Sequence, residues 1–523
     1  MTVASTCSRQ IIAYAIAKEL SCSPIAIMNR GEVIGALNRW KWPVAGVAAA
    51  FVGSLYTLGF SQVFQLYASD DKEVAGTSSY GVKGLLKKLI HDFIQGGKSP
   101  ENPPLSPSEA SMIIRKNEKR VDVNCGVVYY YDTNNLPSNN PMEDRNAECR
   151  IIKNNGILFS VFDGHGGWQC AEAVKNRLPL YIALSLLKKS ELGSFEKEII
   201  KDLLFTSLYS NGSTSASSNT NETSSLTTDY TLSKKQDIFH TGPKYLIQSL
   251  KDVLNGDDKL TAEEALSLAY SQLDDDISAE AIPLKMLDDS FVIGATGACA
   301  VSAYVEGDRI YLANSGDCRV VLGSKAQSGS WVAQQLTEDQ NSKNEKEYRR
   351  LLKEHPGEEG TVIKNERLLG QLQPLRAFGD IQYKWDQVTH SHILTQIYGG
   401  PIVPPHLYKT PPYLTAKPVT TKHQIQKQDK FIILASDGLW DSLSSQQAVE
   451  LVGQFLESSK KNIGEILEKN AATHLIRHAI GGNDHHFVAQ MLLVPEQYRR
   501  MWRDDITVTV VFLKSADDFY SKL

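Results

Sequence analysis

The feature that most constrains this chain is where its acids fall. Several short apolar, β-branched runs stop at, or start from, a carboxylate. Ile157–Phe162 ends in Asp163-Gly164-His165-Gly166-Gly167, and Phe431–Ser436 ends in Asp437-Gly438-Leu439-Trp440-Asp441. Arg503-Asp504-Asp505 leads into Ile506–Leu513, Asp317 closes Leu312-Ala313-Asn314-Ser315-Gly316, and Glu143-Asp144 precedes another apolar-containing segment. Runs of this kind read as strands. Buried strands end at common edges of a packed sandwich, so acids at several such edges can meet in one cleft. Clustered carboxylates repel and shift toward protonation unless a cation neutralises them. Hard divalent ions such as Mg²⁺ or Mn²⁺ take oxygen ligands of this kind. The glycines after Asp163 and Asp437 allow close backbone approach, and the carbonyl itself can then act as a ligand. Each fragment alone is weak, because Asp-Gly after a strand is ordinarily a turn; the weight lies in five of them.

The remaining pattern reads as one α+β domain with N-terminal extensions. Further strands are expected over Phe291–Val305 and Arg309–Ala313, and helices over Ala171–Leu187, Ala262–Asp275, Gln446–Glu457 and Asn470–Ala479. A net charge of -5 over 523 residues gives no sign of a nucleic-acid binder. Attraction for a phosphate must therefore be local, and metal ions could supply it. The seven cysteines are irregularly spaced without a C-x-x-C pair, which argues against a disulfide framework or a structural zinc site and for a reducing compartment.

Residues 1–41 carry Arg9, Lys18, Arg30, Arg39 and Lys41 against Glu19 and Glu32, the composition of an organelle presequence; an unstructured tail is the competing reading. Residues 42–69 have no charge, and their apolar heart, Val44–Phe60, approaches the roughly 20 residues that span a bilayer. A transmembrane helix and a buried, interfacial or targeting segment both fit it. Residues 70–107 read as a linker holding a short amphipathic helix near Leu85–Ile94, closed by Pro100, Pro103, Pro104 and Pro107. At about 206–231 a Ser/Thr/Asn-rich stretch reads as a disordered insertion, with too little apolar area to offset its ordering entropy.

Seven pieces, in order, resemble the motifs of the metal-dependent type 2C (PPM-type) serine/threonine protein phosphatases. They are Met142-Glu143-Asp144, Val161–Gly167, Gly294–Ala298, Asn314–Arg319, Leu375–Asp380, Ala435–Asp441 and Asp504–Val508. The resemblance runs from about Val123 to Leu513. Leu136–Arg145, Arg367–Gly370, Thr410–Ala416 and Asn470–His478 further resemble the pyruvate dehydrogenase phosphatases within that family.

The resemblance implies a four-layer fold, a central antiparallel β-sandwich flanked by helices, and two Mg²⁺ or Mn²⁺ ions. Asp163 would bridge them, with the Gly164 carbonyl on one ion and Asp437 and Asp504 as further direct ligands. Glu143 and Asp144 would act largely through bound waters, and Asp317 and Asp441 could support a weaker third ion. A metal-activated water would attack phosphorus in line, with His165 as general acid and no phosphoenzyme. Taken alone, His165 would be a solvent-exposed loop histidine. Asn139 stands where most type 2C phosphatases have a phosphate-contacting arginine, and is the candidate substrate contact. Arg145 and Arg376 read as structural, and His474 and His478, spaced i,i+4, as helix-packing or surface residues.

The partners implied are the phosphorylated α subunit of pyruvate dehydrogenase, the lipoyl domain of the acetyltransferase core and a regulatory subunit with calcium. The location implied is the mitochondrial matrix, or the inner membrane facing the matrix. Two alternatives stand beside this reading. One is a type 2C phosphatase acting on another mitochondrial phosphoprotein. The other is a non-catalytic scaffold, disfavoured because Asp163, Asp437 and Asp504 are all present.

Overall fold

Along the run Gly156–His165 the side chains alternate between two buried surroundings. Ile157, Phe159 and Val161 pack into one apolar cluster, whereas Leu158 and Phe162 pack into another. A strand whose successive side chains point to opposite faces, with both faces buried, shows the unbroken apolar pattern seen in the sequence. The same holds for Asp429–Ala435, where Ile432 and Leu434 join the first cluster and Phe431, Ile433 and Ala435 a third. In this computed structural model the described residues are 105–192, 205–208, 245–255, 258–282, 289–398, 403–461 and 468–514.

The cluster shared by both runs is the interior of a β-sandwich. One sheet has the order β1-β2-β15-β14-β8-β9, with β1 Lys119–Cys125, β2 Val128–Leu136, β15 Ile506–Leu513, β14 Asp429–Ala435, β8 Arg319–Lys325 and β9 Trp331–Gln335. The other has the order β13-β7-β6-β4-β3-β5, with β12 on β6. Its strands are β13 Val419–Gln424, β7 Arg309–Ser315, β6 Gly297–Glu306, β4 Gly156–His165, β3 Arg145–Ile151, β5 Phe205–Ser207 and β12 Phe378–Gly379. A separate ribbon pairs β10 Ile363–Lys364 with β11 Arg367–Leu368. Every pairing is antiparallel.

Helices cover both outer faces. Gln169–Ser185, Leu246–Val253 and Ala262–Glu280 pack on the β4–β6 side, and Pro107–Ile114, Ser445–Lys461, Ala471–Ala479 and His485–Leu493 on the β14–β15 side. This is the four-layer α+β arrangement expected. The layering places the free ends of β4, β14 and β15 on one rim. His165 pairs with Gly297 at the end of β4, and Ala435 with Val508 near the start of β15.

One sequence expectation is corrected. Phe291–Val305 is not a single strand: Asp289–Ala295 is helical and the strand begins at Gly297. Short apolar runs do not distinguish helix from strand by periodicity. Here Phe291 packs against Ile381, Trp385 and Leu394, away from the sheet.

The expected presequence (1–41), the uncharged run 42–69 and nearly all of the linker 70–107 lie outside the described residues. So does most of the Ser/Thr/Asn-rich stretch, although the short strand Phe205–Ser207 takes in its first two residues. Among the described residues no helix is long and apolar enough to cross a membrane, and Cys125, Cys149, Cys170, Cys299 and Cys318 are free thiols.

Candidate active site

Because side chains alternate along β4, Asp163 follows Val161 onto the inner face of the sandwich, at the point where apolar packing ends. From the opposite sheet, β14 ends at Ala435 and the chain turns into one helical turn, Asp437–Trp440, which opens on Asp437. Asp504 arrives just ahead of β15, and Glu143 and Asp144 just ahead of β3. Two close backbone approaches, and one of backbone to a side chain, hold these ends together. A methyl on Gly164 would lie 2.5 Å from the Glu143 carbonyl, one on Gly438 2.0 Å from the Asp505 carbonyl, and one on Gly297 2.1 Å from His165 Nε2. Only glycine fits against backbone at Gly164 and Gly438, which gives these two Asp-Gly pairs a packing cause beyond turn propensity.

The carboxylates feel one another. Burial, then the charges of Asp437, Asp144, Asp504 and Asp317, push the Asp163 carboxyl well above the usual range. Burial and the charges of Asp317, Asp504, Asp441 and Asp144 do the same to Asp437. Asp144 is raised by burial, Asp505 and Asp504, and Glu143 is pushed to about 7 by burial and by Asp505. Burial also raises Asp504 against the opposing charge of Arg500, and raises Asp317. Asp317 is buried and accepts from Cys299 Sγ (3.3 Å), whereas Asp441 is exposed at the end of the 437–440 turn.

Asp144 and Asp505 have partners that explain their positions. Ser436 Oγ donates to Asp144 Oδ2 (2.6 Å) and accepts from the Thr507 amide (3.1 Å), tying the Glu143-Asp144 loop to β14 and β15. The buried Asp505 carboxylate accepts from the amides of Ser138, Asn139 (2.8 Å) and Glu143 (2.7 Å) and from Asn139 Nδ2 (3.2 Å). Of the two adjacent aspartates, Asp505 therefore clamps the loop and Asp504 faces the other acids. Asn139 Nδ2 also donates to Glu143 Oε2 (3.3 Å), so its amide is engaged by two carboxylates.

His165 sits at the rim of this group. Its Nε2 pairs with Asp380 Oδ2 at 2.6 Å, and Gln382 Nε2 steadies the other oxygen of Asp380 (3.0 Å). Burial disfavours the imidazolium, but the charge and hydrogen bond of Asp380 outweigh it and raise the His165 pKa. Asp380 stands in one of the motifs, yet no sequence signal ties it to a histidine 215 residues away. Arg145 pairs with Glu172 and donates to the Met142 carbonyl, and Arg376 grips Glu347 through both oxygens (2.9 and 2.7 Å). His474 bonds Glu468 (3.3 Å) and His478 Nδ1 bonds the His474 carbonyl (2.9 Å), within the helix layer.

The donors fit a hard divalent cation. They are all oxygens, their carboxyls are raised by burial and then by mutual repulsion, both of which a cation would offset, and the buried Oδ1 of Asp437 has no hydrogen-bond partner. Among the described residues no three Asp, Glu, His or Cys side chains stand close enough to hold an ion by themselves.

The protein phosphatase 2C family pattern matches residues 215–486, and the chain belongs to that family. A bovine mitochondrial [pyruvate dehydrogenase [acetyl-transferring]]-phosphatase 1 is 35% identical, over 82% of this chain and 87% of its own length. Human mitochondrial [pyruvate dehydrogenase [acetyl-transferring]]-phosphatase 2 is 37% identical, over 79% of this chain and 84% of its own. The phosphatase 1 of Saccharomyces cerevisiae is 28% identical, over 78% and 73%.

Proposed function

We infer that this protein is a metal-dependent serine/threonine phosphatase that dephosphorylates, and so reactivates, the pyruvate dehydrogenase complex in mitochondria. The observation that carries the chemistry is the convergence of the strand ends that bear Asp163, Asp437, Asp504 and Glu143-Asp144, tied by Ser436 between Asp144 and Thr507 and by the close approaches at Gly164 and Gly438. The support for the substrate is the identity of about a third of the sequence, over most of both chains, with phosphatases of that complex.

In this reading Asp163, the Gly164 carbonyl, Asp437, Asp504, Glu143 and Asp144 would hold two ions, and Asp317 and Asp441 would be available to a weaker third. When bound, such ions supply an activated water and neutralise phosphoryl oxygens. The chain's own residues do the rest. Asp505 and Ser436 fix the loop that presents Glu143 and Asp144. Asp380 favours the protonated form of His165 and engages its Nε2, leaving Nδ1 to give a proton to the departing serine oxygen. Asn139 borders the cleft as a polar contact. Residues 1–41 serve as a presequence and the run 42–69 as the link to the inner membrane, with the catalytic unit in the matrix. The α subunit is the phosphoprotein bound, and the lipoyl-bearing core its docking platform.

The test compares release of phosphate from the phosphorylated complex with release from an unrelated phosphoserine peptide, in Mg²⁺. Preference for the complex is expected. Equal or greater activity on the unrelated peptide would remove the substrate assignment and leave the class intact.

A further inference from the structure

Hydrolysis of a phosphate monoester needs a group that binds the phosphoryl oxygens and not only the ions, and the cationic residues near the cleft are mostly occupied. Arg145 is held by Glu172, Arg376 by Glu347, and Arg319 by Asp339. Asn139 donates to Glu143 and Asp505. Arg500 is different. It follows the turn Glu496–Arg499, its side chain is 55% exposed, and its guanidinium pairs with Asp504, one turn ahead of β15. Its charge interacts with Asp504, Asp437 and Asp163 together, and with Glu143 from the facing loop. A half-exposed guanidinium thus points into the group of acids that this account assigns to the metal ions.

We propose that Arg500 is the phosphate-binding residue of the loaded enzyme, exchanging its contact with Asp504 for the phosphoryl oxygens of the substrate. The inference rests on the reading of the acids as metal ligands given above. An ion held by Asp504 would have the same sign as the guanidinium and would compete with it for that carboxylate. Its long, exposed side chain can then swing toward the cleft. The planar fork of arginine matches two oxygens of a phosphate, whereas lysine offers a single point charge. The arrangement also places a cation among the acids when the ions are absent, limiting their repulsion.

The proposal separates phosphate binding from metal binding, so both are measured on the full chain. Inorganic phosphate is the probe for the first, as an inhibitor of p-nitrophenyl phosphate hydrolysis in Mn²⁺. Calorimetric titration of metal-stripped protein with Mn²⁺ is the second, and also reports that each variant is folded. For Arg500→Ala the phosphate inhibition constant and KM should rise about 10- to 100-fold, the range of losing a charge-assisted contact. Mn²⁺ affinity should be unchanged or tighter, because a competing cation has gone. Arg500→Lys should recover part of the phosphate affinity. A phosphate inhibition constant within twofold of wild type would overturn the proposal. So would loss of Mn²⁺ affinity large enough to account for any loss of phosphate binding, since Arg500 would then organise the metal site. Failure of the wild-type protein to hydrolyse p-nitrophenyl phosphate in Mn²⁺ would instead overturn the phosphatase reading beneath it.

Discussion

Glu143 offers a quantitative test of the idea that the cleft is a repelling group awaiting cations. Its carboxyl is lifted from 4.5 to about 7 by burial and by the neighbouring Asp505 charge. A group whose folded pKa exceeds its unfolded pKa destabilises the fold in its charged form. The penalty is complete above about pH 7 and fades as pH falls toward 4.5. Its size is about 3 kcal/mol for this rise. Glu143→Gln removes the charge but keeps an oxygen that can accept from Asn139 Nδ2 (3.3 Å in the native protein). In EDTA at pH 8 the variant should therefore be the more stable, with an apparent Tm roughly 3–6 °C above wild type. The difference should shrink steadily between pH 7 and 4.5. With saturating Mg²⁺ the order should narrow or reverse, because the wild-type charge then has a cation to meet. Thermal unfolding followed by calorimetry across that pH range is the assay. A variant that melts at or below the wild-type temperature in EDTA at pH 8 would show that the Glu143 charge carries no such penalty.

Three further outcomes follow from the same geometry. Asp505→Asn should lower stability by about 2–3 kcal/mol with or without metal, because donors now facing one carboxylate oxygen would face an amide NH₂; an unchanged Tm would deny Asp505 its clamping role. Asp380→Asn removes the charge that raises the His165 pKa, so the alkaline limb of the kcat–pH profile should move to lower pH, and an unmoved limb would separate His165 from proton transfer. Gly297→Ala should cut kcat by about 10-fold or more while leaving Mn²⁺ affinity within a few-fold, since the added methyl would overlap His165 Nε2 and Asp380 Oδ2; full activity in this variant would contradict that placement.

Much of this site was legible because strand ends are visible in sequence. Asp163 and Asp437 follow apolar runs that the sandwich buries on both sides, so their meeting at one rim follows from the packing of two sheets. What stayed hidden depends on distant contacts or on distinguishing neighbours. Asp380 reaches His165 across 215 residues through a left-handed backbone position that a sequence pattern does not reveal. Asp504 and Asp505 are adjacent acids, and only the amides of Ser138, Asn139 and Glu143 separate the clamp from the proposed ligand. Arg500 carried no signal at all, since it lies outside every motif. The Phe291–Val305 error has the same root, because local apolarity does not say whether Phe291 packs on the sheet or on Ile381 and Trp385.

The most direct test of the central claim is phosphate release from the phosphorylated pyruvate dehydrogenase complex by wild type and Asp163→Asn, each in Mg²⁺ and in EDTA. Release is expected from wild type in Mg²⁺ only, with Asp163→Asn slower by about 1,000-fold or more yet folded, and more heat-stable than wild type in EDTA. Release that persists in EDTA, or in the variant at near wild-type rate, would contradict it.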